Sequence, residues 1–330
     1  MTPPTPSPAP SATVPIAEGL RNLEGISDFD IVWPWRQAPL RRGATAVLRV
    51  RNEAPSLPFV LPPLLRACDE VLLVDNGSDD GTPEVSVETA ERIGLGEKLR
   101  VMEYPFAVAP AGSDHLQVHE RSIHSLAYFY NWCFAQVRTR YSWKWDGDMV
   151  LTREGEISMA GMSWQINGTE AVVRIPRHPL YVDGDRRAFL DLGLRNLEAW
   201  GYPMGPDYLY TKAFEWEIRM VPDNVPTIRW PNGLCVEVKH LDADEFGHWT
   251  APEAFATSKR NHRKRREWEV FNALADGIVP AGVVVIDAPP GVHVIDHVTR
   301  DWLPALPRPI QTSNHPSKIE PYRATFDIGR

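Results

Sequence analysis

A mostly parallel β-sheet flanked by helices, an α/β architecture, follows from three features of the chain. Four short segments read as buried strands, segments of helical character separate them, and turn-forming or acidic residues fall at the strands' carboxyl ends. Strands that alternate with helices favour parallel pairing, because a parallel neighbour needs a long crossover to return the chain.

The elements follow in order. Ala44 to Val50 is apolar enough for a buried strand and runs into Arg51-Asn52-Glu53. Ser56 to Ala67 is a weak helix by sequence, since Pro58, Pro62 and Pro63 each remove a backbone donor. Glu70 to Asp75 is the second strand, followed by Asn76-Gly77-Ser78-Asp79-Asp80-Gly81-Thr82. Thr82 to Ile93 suits a helix, with Thr82 as N-cap and Pro83 at the first helical position. Leu99 to Tyr104 is a third strand. His119 to Val137 predicts a long helix, with Ile123, Leu126, Ala127, Tyr130, Phe134 and Val137 on one face. From Tyr141 to Trp145 aromatic residues alternate with Ser142 and Lys144, the period of a fourth strand. A last helix is expected from about Pro252 to Ala275.

That fourth strand ends in Asp146-Gly147-Asp148. In open α/β sheets, ligands bind at the strands' carboxyl ends. Two aspartates crowded there repel unless a cation or donor-rich ligand neutralises them. A divalent ion holding a diphosphate meets that need; an Asp-Gly turn with solvated acids is the plainer alternative.

Composition narrows the function. Net charge is −8, from 35 basic and 43 acidic residues, which argues against a general nucleic-acid binder. Cys68, Cys133 and Cys235 are scattered, as expected of reduced thiols in a cytoplasmic protein, and no Cys/His spacing suits zinc. No apolar run approaches a membrane span and no signal-peptide layout is visible. The Pro-rich stretch over residues 1–20 reads as a disordered tail. Gly94-Leu95-Gly96 lacks the third glycine of a dinucleotide fingerprint and follows a helix, and no Walker-type loop is present.

Three stretches together resemble the family 2 glycosyltransferases, whose fold is called GT-A. Val50-Arg51-Asn52-Glu53 is similar to the family's first-strand signature, and Leu73-Val74-Asp75-Asn76-Gly77-Ser78-Asp79-Asp80-Gly81-Thr82 to its second. Asp146-Gly147-Asp148 falls where the family keeps a metal-binding Asp-x-Asp, after a helix whose Asn131-Trp132 also resembles it. The likeness is good over residues 44 to 150 and loose beyond.

The resemblance implies a metal-dependent, inverting transfer of a sugar from a nucleotide-diphosphate sugar to an acceptor hydroxyl. Arg51, Asn52, Glu53 and Asp75 would line the nucleotide pocket, although Asp75 also suits a turn cap and Arg51 a surface position. Asp148 would touch Mn²⁺ or Mg²⁺ directly, with Asp146 beside it or on the ribose. His240, ending the strand-like Cys235 to His240, is a further metal or diphosphate ligand or a structural histidine, and Asp242 and Asp244 compete with it. The catalytic base is Asp207 of Met204-Gly205-Pro206-Asp207-Tyr208, which also suits a helix N-cap; Glu215 and Glu217 are alternatives. The family's usual Glu-Asp pair is missing here.

The expected layout is a GT-A domain over residues 21–250, with a nucleotide half (44–150) and an acceptor half (151–250), then a helical and extended extension over 251–330. The donor would be UDP-, GDP- or dTDP-linked and the acceptor a glycan, a lipid-linked sugar or a small molecule. The basic run Lys259 to Arg266 is either a peripheral membrane contact at the inner membrane face or a solvated helix face. Two rivals remain: a nucleotidyltransferase, which would want a glycine-rich basic loop where Arg51-Asn52-Glu53-Ala54-Pro55 stands, and a catalytically silent relative that binds nucleotide sugars.

Overall fold

The structure, a computed structural model, describes residues 19–165, 170–193, 196–213, 216–243, 245–246, 259–305 and 320–321. The strands are β1 (Arg41–Val50), β2 (Glu70–Asp75), β3 (Leu99–Glu103), β4 (Thr139–Asp146), β5 (Met149–Leu151), β6 (Val172–Asp183), β7 (Arg187–Asp191), β8 (Asn196–Pro203), β9 (Tyr210–Ala213), β10 (Trp216–Arg219), β11 (Pro226–Arg229), β12 (Cys235–His240) and β13 (Val283–Asp287).

The order β3-β2-β1-β4 is parallel throughout. Beyond β4 the sheet continues through β8, β6, β7 and β13 with antiparallel pairing, so the α/β fold is parallel at one side and mixed at the other. β12 lies parallel to β6 and antiparallel to β5. The chain leaves β1 for β2 on one side and returns to β4 on the other. The order therefore reverses between β1 and β4, the kind of switch point where a crevice opens. Register aligns Arg49 with Asp146 and Val50 with Asp75, so three strands end together at that crevice.

Period-two alternation divides the sheet into two faces. Leu48, Leu73, Trp143 and Trp145 belong to the larger core, packed with the helices Leu57–Ala67 and Arg153–Gln165. Val47, Leu72 and Val74 face the helix Leu126–Ala135. On that second face β1 also carries Arg49, and β4 carries Lys144 and Asp146.

Two helices depart from their sequence patterns for visible reasons. Leu57–Ala67 is helical despite Pro62 and Pro63 in its interior. It buries Leu57, Val60, Leu61, Leu64 and Leu65 completely. At roughly 1.5–3 kcal/mol each, that burial outweighs roughly 3 kcal/mol for each interior proline. The helix expected from His119 begins only at Leu126. The Glu24 carboxylate accepts from the Ser122 hydroxyl at 2.6 Å and the Ile123 N–H at 3.1 Å, so that amide is committed outside any helix. At Thr82 the helix does start, but Gly81 holds the cap position and the Asp80 carboxylate accepts the Thr82 N–H at 2.9 Å.

Residues 1–18 of the expected tail and Pro252 to Ser258 lie outside the described residues, as do Glu215 and Asp244, whereas Leu20 already forms a β-bridge with Ile31. Among the described residues no helix is long and apolar enough to cross a membrane.

Candidate active site

β4 ends at Asp146 and β5 starts at Met149, so Gly147 and Asp148 make the whole connection. The backbone turns tightly there because it passes against the loop after β1. A Cβ on Gly147 would stand 2.6 Å from Cγ of Glu53, and only glycine fits. The turn and Glu53 open on a cavity of about 390 Å³, lined also by Arg49, Tyr130, Lys144, Arg177, Glu198, Glu217, Glu237, Lys239 and Glu245. Seven carboxylates and four basic side chains line it, a negative excess in a confined space.

Arg49 donates to Oδ1 of Asp146 at 2.5 Å and to the Trp145 carbonyl at 3.2 Å. Its guanidinium lies 4.0 Å from the centre of the Tyr130 ring. Burial works against this charge, yet Tyr130 and Asp146 hold its pKa above the ordinary value. Nε and Nη1 of Arg49 are buried with no hydrogen-bond partner among the described residues.

On β12, Glu237 and Lys239 share one face by alternation and both point into the cavity. The Lys239 ammonium donates to Oδ2 of Asp148 at 2.5 Å and lies 3.3 Å from Glu237 Oε1 and 3.9 Å from Glu245 Oε2. Arg177 of β6 donates to Glu237 Oε2 at 2.5 Å and stacks over the Trp200 ring at 4.6 Å. One ammonium shared by three acids stays protonated: burial opposes it, but Asp148, Glu237 and Glu245 raise its pKa well above normal. The acids remain under-compensated. Burial pushes the Asp148 carboxyl up to about 6, against the pull of Lys239 and with help from Glu237 and Asp146. Burial, then Asp148, likewise lifts Glu53 well above the carboxylate range.

Glu217 enters from β10, its carboxylate 3.9 Å from the Lys144 ammonium and almost fully buried. The β9–β10 hairpin is clamped to the helix Leu126–Ala135 by Asn131. Its amide donates to the Tyr210 carbonyl at 2.8 Å and its amide oxygen accepts the Tyr210 N–H at 2.8 Å. Asn131 therefore helps position Glu217 without touching the cavity.

Of the residues singled out from sequence, Glu53, Asp146, Asp148 and Glu217 meet in this cavity. Asp207 does not: it is exposed in the turn between β8 and β9. Asp75 is buried beneath its own turn, accepting from the Ser78 hydroxyl at 2.5 Å and from the Gly77 and Ser78 amides at 3.2 Å. Asn52 adopts a left-handed backbone (φ 57°) and its side chain accepts the Asp79 N–H at 2.9 Å, tying the two loops together. Arg51 is exposed. The His240 ring points to the other side of β12, 3.2 Å from the Ser56 hydroxyl.

The cavity also holds residues that sequence reasoning passed over: Arg49, Lys144, Arg177, Glu237 and Lys239. Each is a charge set within an apolar or aromatic strand, as in Val47-Leu48-Arg49-Val50 or Val236-Glu237-Val238-Lys239. A buried charge in such a run is the signal that points to them. The basic run is used structurally at its described end, where Arg266 donates to the fully buried Asp191 at 3.0 and 3.1 Å.

The donor set suits a hard divalent cation, being carboxylate oxygen with excess negative charge, and Lys239's ammonium stands among the acids as such a cation would. In the arrangement described, protein cations engage the acids, and no three His, Cys, Asp or Glu side chains among the described residues are grouped to hold a metal.

No protein-family model matches the chain, and no curated protein matches it. Solved structures similar to it include glucosyl-3-phosphoglycerate synthase from Mycobacterium tuberculosis in complex with Mn²⁺, UDP-glucose and phosphoglyceric acid (16% identity over 43% of this chain and 45% of that chain, TM-score 0.26). A complex of that synthase with Mn²⁺, UDP-glucose and glycerol 3-phosphate is similar at 17% identity over 42% and 44%, TM-score 0.27. A mycobacterial protein is similar at 15% identity over 45% and 43%, TM-score 0.26. The chain spans less than half the length of each of these structures, at an overlap too slight to bear on substrate or mechanism.

Proposed function

We propose that the chain is a glycosyltransferase that moves a sugar from a nucleotide-diphosphate donor to an acceptor hydroxyl. One observation carries the reading: the Asp146-Gly147-Asp148 turn opens, at the β1/β4 switch point, into a cavity lined by interleaved acidic and basic groups. The loops after β1 and β2, with Arg51, Asn52 and Asp75, form the nucleoside side. Asp148, with Glu53 and Glu245 near it, would hold a divalent ion. When bound, that ion offsets charge on the departing diphosphate.

The chain's own residues supply the rest. Arg49 fixes Asp146, leaving its second oxygen for a ribose hydroxyl. Glu217 is the base: its carboxylate takes the acceptor's hydroxyl proton as that oxygen bonds to the anomeric carbon. The bond from that carbon to the diphosphate oxygen breaks, and its electron pair leaves with the diphosphate. Attack opposite the leaving group inverts the anomeric centre. Lys144, held between the Tyr130 and Trp200 rings, sets its ammonium 3.9 Å from the base.

The test is a thermal-shift screen of UDP-, GDP-, CDP- and dTDP-sugars with and without Mn²⁺, followed by transfer and hydrolysis assays on any donor that binds. A ligand that binds the native state raises apparent stability by mass action. A donor that stabilises and is turned over supports transfer. Binding without turnover would favour the silent relative, and no stabilisation by any donor would sink the reading.

A further inference from the structure

Lys239 is the cavity's most shared cation. Its side chain is 10% exposed, and it meets carboxylates from three places in the fold: Asp148 from the β4–β5 turn, Glu237 from its own strand, and Glu245 from the segment after β12. Only Asp148 is at full hydrogen-bonding range, at 2.5 Å; Glu245 stands off at 3.9 Å. One ammonium is thus spread over three carboxylates, of which Glu237 also accepts from Arg177 at 2.5 Å.

We propose that Lys239 is a resident cation in this cluster and that a divalent ion gains Asp148 only by displacing it, so that Lys239 sets the protein's metal affinity. The inference rests on the reading of the cavity as a cation-assisted donor site, and it deepens that reading. Mg²⁺ and Mn²⁺ take carboxylate oxygens at about 2.0–2.2 Å. An ammonium already bonded to Oδ2 of Asp148 and a metal on the same oxygens repel at that range. The lysine stem is flexible, and Glu237 and Glu245 offer the ammonium a nearby place to retreat. Metal entry then exchanges a single charge for a double one at the same acids and leaves Lys239 beside the diphosphate.

The experiment is a Mn²⁺ titration of the full chain without nucleotide, reading free Mn²⁺ by electron paramagnetic resonance, for wild type, Lys239→Met and Lys239→Arg. The apolar variant should bind Mn²⁺ at least tenfold more tightly than wild type, and the arginine variant no more tightly. Lys239→Met leaves buried acids without their ammonium, so its melting temperature should fall in chelator and rise more with 1 mM Mn²⁺ (roughly millimolar, for saturation) than that of wild type. Lys239→Gln, gentler on the fold, should fall between the two in both readouts. Equal or weaker Mn²⁺ binding by the methionine and glutamine variants overturns the proposal, as does a metal-induced rise no greater than in wild type. Donor binding by wild type is scored separately: donors that bind while the variants gain no Mn²⁺ affinity would end this inference and leave the transferase reading standing.

Discussion

Arg49 and Asp146 face each other across the β1/β4 switch point at 2.5 Å, but they are not equally buried: the arginine side chain is 3% exposed and the aspartate 38%. The pair is therefore asymmetric in what its loss leaves behind. Asp146→Asn strands a guanidinium in the interior, where an uncompensated charge costs about 3–5 kcal/mol. Arg49→Met leaves a carboxylate that water can reach, and should cost less, on the order of 1–2 kcal/mol. Urea denaturation of the two variants measures this. Equal losses, or a larger one for Arg49→Met, would show that the pair does not work as described.

The close approach of Gly147 to Glu53 predicts a non-additive pair. Gly147→Ala places a methyl 2.6 Å from Glu53 Cγ and 3.0 Å from its Cβ, so the Glu53 stem must move bodily. We expect a loss of about 1–3 kcal/mol and weakened donor binding. In the Glu53→Ala background much of that stability loss should vanish, a coupling of at least roughly 0.5 kcal/mol in a double-mutant cycle. Simple additivity would mean that the contact is not what excludes a side chain.

The base assignment separates Glu217 from Asp207. Glu217→Gln should lower kcat by about 10²–10⁴ while leaving donor affinity within a few fold. Asp207→Asn, out in an exposed turn, should leave kcat near wild type. The reverse pattern in steady-state kinetics would return the base to Asp207.

Stability should fall with rising pH through the range set by Asp148. Its folded pKa is raised, to about 6, so the native state holds a proton that the unfolded chain, titrating near 4 (~3.9), has already released. The extra stability is present below about pH 4, declines between about 4 and 6, and is gone above. The difference between wild type and Asp148→Asn in chelator should show this slope, on the order of 3 kcal/mol in total. A wild type that gains stability relative to the variant across that window would reverse the sign.

Two arginines of the basic run should behave differently. Arg266 pairs with Asp191, which is 0% exposed, whereas Arg265 pairs with Glu269 one helical turn on with both partners about half exposed. Arg266→Ala should cost about 3 kcal/mol and Arg265→Ala less than about 0.5 kcal/mol. Similar small losses would leave this helix without its anchor to β7.

The sequence carries the parallel half of the fold clearly, because Ala44–Val50, Glu70–Asp75 and Tyr141–Trp145 each combine an apolar or alternating run with an acidic or turn-forming end. Helix limits are less legible. Nothing local to His119–Ser125 tells that Glu24, about a hundred residues earlier, will take an amide from it. Asp146 and Asp148 can be found because turn chemistry and strand period coincide at that point. His240 draws attention as a histidine at a strand end, yet alternation along β12 gives the cavity to Glu237 and Lys239 instead. Asp207 follows a proline in a helix-start pattern, but the hairpin that follows buries Tyr208 and leaves the acid outside. Arg177 and Glu237 pair across β6 and β12, sixty positions apart, which only the folded sheet brings together.

β4 belongs to two differently wired regions: its one edge joins the parallel strands, its other edge the antiparallel ones. Insertions or substitutions in the hairpins beyond β8 can therefore reshape one wall of the crevice without disturbing the register that aligns Arg49 with Asp146. Such a division leaves that wall free to vary while the parallel edge of the crevice keeps its shape.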